Sequence, residues 1–193
     1  VNYFNSIGIK PGDRVVGVIP NIGPAVIAML ATTAVGAVWS ACSPDFGETG
    51  ILDRFAQIEP TVILIIDGYY YKNKYFDCSA KNTSIINTLS DHLKSVICVT
   101  ENYSVPAQLV ALEKEPRSYQ LNTWAQIQET FNTAKTEQIN YCNVDFNDPV
   151  YIMFSSGTTG KPKCIVHGVG GILLEHFKEH LLHHNISSKD NSF

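Results

Sequence analysis

The sequence predicts an α/β fold, a mostly parallel, doubly wound sheet with helices on its faces. Three observations carry this. Short apolar runs alternate with amphipathic stretches of helical length. One run, Thr61-Val62-Ile63-Leu64-Ile65-Ile66, is apolar without a break, as a strand buried on both faces requires. The first two runs and the stretch between them make a strand–helix–strand unit long enough for a parallel crossover.

Each element follows in order. Val1 to Gly8 reads as a helix tail closed by Gly8, and Lys10-Pro11-Gly12-Asp13 as a turn. Arg14 to Ile19 is a strand ended by Pro20. Asn21 is the expected cap of a helix from Ile22 to Val35, which Gly36 ends. Ala37 to Ser40 is the second strand. Cys42-Ser43-Pro44-Asp45-Phe46-Gly47 is a loop at its carboxyl end, where ligands sit in open α/β sheets. Glu48 to Ile58 is a helix with Ile51, Leu52, Phe55 and Ile58 on one face. After Asp67-Gly68, the segment Tyr69 to Phe76 mixes aromatics with Lys72 and Lys74. It reads either as an exposed hairpin or as a basic-aromatic patch for a nucleotide-like ligand. Ser79 to Leu93 is helical, with Ile85, Ile86, Leu89 and Leu93 inward, and Ser95 to Val99 is a strand. The pattern loosens from Thr100 to Asn147, apart from a short helix within Leu121 to Phe131. Val150 to Phe154 and Cys164 to His167 are strands. A helix from Ile172 to His184 has Leu173, Leu174, Phe177 and Leu181 as its inward side.

The totals exclude several classes. With 193 residues, 45% apolar and 17% charged, the chain can bury one sizeable core and is not disordered. A net charge of −4 with no basic stripe argues against nucleic acid as the partner. No apolar run reaches the length of a membrane span, and no secretory signal pattern opens the chain. The 5 cysteines are widely spaced without a C-x-x-C pair, which fits a reducing compartment, the cytosol. The sequons at Asn82, Asn102 and Asn185 read as chance in an Asn-rich chain. Val1 stands first instead of Met, so the expectation is a piece of a longer chain.

The chemistry concentrates between the last two strands, in Ser155-Ser156-Gly157-Thr158-Thr159-Gly160-Lys161-Pro162-Lys163. Glycines let backbone N–H groups turn to an anion without a Cβ in the way. Hydroxyls donate to phosphate oxygens, and Lys163 adds charge. The Walker pattern does not fit. Gly157 and Gly160 are too close, Pro162 stands where Ser or Thr should be, and a strand follows instead of a helix. The bland alternative is a Ser/Thr/Gly surface turn.

These nine residues resemble the phosphate loop of the adenylate-forming superfamily, [ST]-[ST]-G-[ST]-T-G-x-P-K, at every defined position. Val35 to Ser40 with Cys42 to Gly47, Leu52-Asp53-Arg54-Phe55, Gln57-Ile58-Glu59-Pro60 and Ile165-Val166-His167-Gly168 are similar to the acetoacetate-activating acyl-CoA synthetases. Acetyl- and propionyl-CoA synthetases are near neighbours. The resemblance implies an acid–thiol ligase: acetoacetate, ATP and Mg2+ give an acyl adenylate, from which coenzyme A displaces AMP. It implies that Ser155, Ser156, Gly157, Thr158, Thr159, Gly160 and Lys163 hold the ATP phosphates, and that Lys72, Lys74 and Gly47 serve coenzyme A. No catalytic residue is implied here. Residues 1–193 would be part of a large AMP-binding domain, with the small carboxyl-terminal domain and the adenine, ribose and acyl contacts elsewhere, and with a sheet edge and core face uncovered.

Two other classes compete. One is a nucleotide-binding fragment without chemistry. The other is a zinc hydrolase, because His176-Phe177-Lys178-Glu179-His180 matches H-x-x-E-H and puts two imidazoles on one helix face. Against zinc, Phe177 is expected on the buried side, and no metal site is expected.

Overall fold

The computed structural model describes residues 1–100, 119–131, 139–155 and 160–191. The elements run α1 (Asn2–Ser6), β1 (Arg14–Val18), α2 (Gly23–Ala34), β2 (Val38–Cys42), α3 (Glu48–Phe55) and β3 (Val62–Ile66). A hairpin of β4 (Gly68–Tyr71) and β5 (Lys74–Asp77) follows, then α4 (Ser79–Leu89) and β6 (Ser95–Val99). The chain continues as β7 (Gln120–Thr123), α5 (Trp124–Phe131), β8 (Pro149–Phe154), β9 (Cys164–Gly168) and α6 (Val169–Lys178). A π-helical turn, Glu179–His183, prolongs α6.

The main sheet has seven strands in the order β7-β6-β3-β1-β2-β8-β9. Every pairing is parallel except β8 with β9. Alternate side chains of the central strands serve two cores, as period-two geometry demands. Val16, Val18, Ile63 and Ile65 pack with Ile51, Phe55, Ile85, Ile86 and Leu89 of α3 and α4. Val15, Val62 and Leu64 pack with Tyr3 and Phe4 of α1, Ala28 of α2, and Trp124, Ile127 and Phe131 of α5. Helices thus cover both faces, and the doubly wound reading holds. Arg14 pins the centre by donating from Nε to the Ile58 carbonyl at 2.6 Å and from Nη2 to the Glu59 carbonyl at 2.7 Å.

Four details differ from the sequence reading. Asn21 does not cap α2; Ile22 occupies that position without a side-chain hydrogen bond, and Pro24 sets the first turn. The short helix expected within Leu121 to Phe131 is α5, but the residues before it, read as connecting surface, form β7, a short strand beside β6. Gln120-Leu121-Asn122-Thr123 lacks the apolar run that marks the inner strands. The last helix starts at Val169, three residues before Ile172. Its supposed inward side is bare: Leu173, Leu174 and Phe177 are 62–66% exposed.

Asn82 settles one sequon. It is fully buried, and its Nδ2 donates to the Ile66 carbonyl at 2.7 Å, so its amide is out of reach of a glycosyl transfer. Asn185 is exposed, and Asn102 lies outside the described residues.

Candidate nucleotide site at the carboxyl edge of the sheet

Because β8 is parallel to β2, the turn after Phe154 leaves the same edge as the loops after β1, β2 and β3. Apolar strands bring the chain to that edge, and the Ser40 hydroxyl fixes β8 by donating to the Ile152 carbonyl at 2.7 Å. The two ends of the predicted loop meet there. Ser155 N–H donates to the Lys163 carbonyl at 3.1 Å, and Lys163 N–H reaches the Ser155 Oγ at 3.4 Å. Ser156, Gly157, Thr158 and Thr159 lie outside the described residues. Gly160 has φ 155°, which side-chain-bearing residues rarely adopt, and a Cβ there would meet nothing within 4 Å. The glycine is therefore demanded by the backbone path and not by crowding. Lys163 is exposed, and no carboxylate among the described residues pairs with it. Its charge is available to an anion.

Helix α3 supports the limb that closes the loop. Gln57, just beyond the helix, donates from Nε2 to the Pro162 carbonyl at 3.0 Å, and its Oε1 lies 3.7 Å from the Cys164 Sγ. The Lys161 ammonium sits 4.0 Å from Asp53, with the lysine side chain 76% exposed. An ion pair so exposed contributes about 0–1 kcal/mol.

The loop after β2 is held from below. Lys81 of α4 donates to the Pro44 and Phe46 carbonyls. The Arg54 guanidinium lies 4.8 Å from the centroid of the Phe46 ring. Gly47 is the residue before α3, extended, with open space where a Cβ would stand. The hairpin β4–β5 rises directly after β3 from the same edge. Its turn residues Lys72 and Asn73 have φ of 49° and 61°, the backbone that tight two-residue hairpins need. Tyr69 stacks on Phe76 at 5.4 Å, and the Lys72 and Lys74 ammonium groups each lie 5.4 Å from a ring of the hairpin. The exposed hairpin is thus the form found. Among the described residues no hydrogen bond or ion pair joins Lys72 or Lys74 to Ser155, Lys163 or Gly47.

Sequence reasoning gave no bracing role to Arg54, Gln57 or Lys81. Gln57 and Lys81 serve backbone carbonyls distant in sequence, which no local pattern announces; Gln57 and Pro162 are 105 positions apart.

The other reactive groups are quiet. Burial pushes the Cys42 thiol up to about 11 and the Cys98 thiol up to about 12, so neither supplies a thiolate near neutrality. Desolvation also raises Cys164. The Asp77 carboxyl is lowered because the Ser79 N–H donates to it at 2.7 Å. His176 and His180 stack with ring centroids 6.2 Å apart, but among the described residues no group of three His, Cys, Asp or Glu side chains is set to hold a metal. Glu179 is engaged by Lys178 at 3.1 Å. The argument from a buried Phe177 fails, since that ring is exposed. Among the described residues, no helix is long and apolar enough to cross a membrane.

A doubly wound sheet that carries a hydroxyl- and glycine-rich turn at its carboxyl edge defines a class, the α/β proteins that bind phosphorylated ligands there. Within that class the chain belongs to the AMP-binding enzyme family, whose pattern matches residues 2–190. It is 43% identical over 187 residues to acetoacetyl-CoA synthetase of Macaca fascicularis, covering 97% of this chain and 27% of that protein. It is 38% identical over 188 residues to acetoacetyl-coenzyme A synthetase of Rhizobium meliloti, covering 96% of this chain and 27% of the relative. The solved structure of acetoacetyl-CoA synthetase from Streptomyces lividans superposes with TM-score 0.81 at 39% identity, over 96% of this chain and 26% of that one. The chain thus spans about a quarter of the length of these relatives.

Proposed function

We propose that this chain supplies the phosphate-gripping part of the nucleotide site in an acid–thiol ligase that makes acetoacetyl-CoA from acetoacetate, ATP and coenzyme A. The observation that carries the reading is the nine-residue turn between β8 and β9, which meets the family signature and leaves the ligand-binding edge of the sheet. In this reading Ser155, Ser156, Gly157, Thr158, Thr159, Gly160 and Lys163 wrap the β- and γ-phosphates. Their amides, hydroxyls and ammonium offset the charge that builds on pyrophosphate as the acid attacks the α-phosphate. Mg2+ enters with ATP, held largely by phosphate oxygens, and supplies further charge neutralisation. Lys72 and Lys74, on a hairpin at the same edge, meet the phosphates of coenzyme A, and Gly47 leaves room for its thiol arm. Residues 1–193 form part of the large AMP-binding domain of a cytosolic enzyme.

Acetoacetate is favoured over acetate or propionate by the names of the relatives at 38–43% identity. The resemblance implies that the adenine, ribose and acyl contacts and the adenylation lysine fall outside residues 1–193, so the 193-residue chain by itself does not complete the reaction. ATP–pyrophosphate exchange tests both points. A protein of the relatives' full length that carries this chain exchanges pyrophosphate when acetoacetate is added, and the chain alone does not. Exchange that follows acetate instead would reassign the acid. Robust exchange by the chain alone would contradict the division of labour.

A further inference from the structure

Gln57 is the one side chain outside the loop that hydrogen-bonds the backbone of its closing limb among the described residues. It stands just past the end of α3, two residues after the wholly buried Phe55, and is itself exposed. Its amide spans two functions. Nε2 donates both to the Pro162 carbonyl and to the Asp53 carbonyl of α3 itself, while Oε1 faces the Cys164 Sγ. The limb Pro162 to Cys164 is thereby tied to the helix on one side and to Ser155 on the other. Lys163, whose ammonium has no carboxylate partner among the described residues, lies between these two ties.

We infer that Gln57 is a positioning residue: it fixes the Pro162–Lys163 backbone so that Lys163 is preset for the triphosphate of ATP. The inference rests on the assignment of the loop to ATP. Two physical arguments support it. The Pro162 carbonyl needs a donor, and Pro162 removes the N–H that would otherwise help the limb pair as a ladder. Among the described residues the other tie of this limb to α3, Lys161 with Asp53, is long and exposed and contributes little. Preset geometry raises affinity because the ordering is complete before ligand arrives.

The test uses a protein of the relatives' full length that carries this chain, and three variants: Gln57→Met, Gln57→Glu and, as a control, Asp53→Asn. Met keeps the length and loses both polar ends. Glu keeps the length and the acceptor but loses the donor. Two readouts are taken beside the melting temperature. The first is trypsin cleavage after Lys163, which needs no ligand. The second is ATP affinity by calorimetry. Gln57→Met and Gln57→Glu are expected to speed the cut and to weaken ATP binding three- to tenfold, about 0.7–1.4 kcal/mol, with the melting temperature unchanged. Asp53→Asn is expected to change neither. Unchanged cleavage in both Gln57 variants overturns the inference whatever happens to ATP. If wild type binds no ATP while the Gln57 variants are cut faster, the tie to the limb stands and the nucleotide assignment falls. A loss of affinity matched by a lower melting temperature would make Gln57 a fold residue and overturn its positioning role.

Discussion

The two flanks of β1 and β2 use equally apolar sequence and end very differently. On one side, every residue of β3 and β6 is buried, and α4 presses Ile85, Ile86 and Leu89 against them. On the other side, β9 shows Ile165 and Val166 to solvent, and α6 does the same with Leu173, Leu174 and Phe177. A helix with one apolar face is a demand for a partner, not proof that one is present in the described residues. The expectation of an uncovered sheet edge and core face agrees with this exposure. The nine-residue turn joins the two, running from β8 with its buried Val150 and Ile152 to the open β9.

The contrast can be broken at its strongest point. Phe55 is fully buried between α4 and the sheet, so Phe55→Ala is expected to cost about 3–5 kcal/mol of unfolding free energy in urea titration. Phe177→Ser on the bare helix is expected to change stability by less than about 0.5 kcal/mol and to raise solubility. Equal losses at the two positions would mean that α6 is covered in solution. A smaller effect tests the covered flank by its polar member. Asn82→Ala strands the Ile66 carbonyl in the core and is expected to cost about 1–3 kcal/mol.

The buried thiols sharpen the same comparison by pH. Cys42 and Cys98 titrate at about 11 and about 12 in the fold, above the ordinary thiol value of 9.0. The unfolded chain therefore releases these protons first as pH rises. Their contribution to stability is complete below pH 9.0 and is lost as pH climbs toward 11 and 12. Cys98→Ala is expected to flatten the alkaline loss seen in denaturant titrations between those limits. Exposed Cys164 makes the smallest difference: it reacts with a thiol reagent at neutral pH well before Cys42 and Cys98 do.

How much was legible follows the same boundary. Thr61 to Ile66 is legible because five apolar residues in a row, Val62 to Ile66, suit a strand buried on both faces, and β3 occupies those five positions. β7 is hidden in the sequence because three of its four residues, Gln120, Asn122 and Thr123, are polar; pairing to β6, Leu121 against the core and the Asn122 amide donating to the Tyr3 hydroxyl hold it, and none of these is a local pattern. The cap of α2 was misplaced because Asn21 has the right chemistry one position too early, and Pro24 sets the start instead. The loop ends, Ser155 and Lys163, were identified from residue type alone, and the structure pairs them across the neck. The helix residues that brace the loops stayed hidden because a glutamine that serves a distant carbonyl looks like any surface glutamine.

The central claim is that the turn between β8 and β9 grips a nucleoside triphosphate. Calorimetric titration of ATP into a protein of the relatives' full length that carries this chain, as wild type and as Lys163→Ala and Gly157→Val, tests it most directly. The account predicts binding by wild type and a loss of at least about tenfold, 1.4 kcal/mol, in each variant with the fold intact. The same ATP affinity in all three proteins would contradict it.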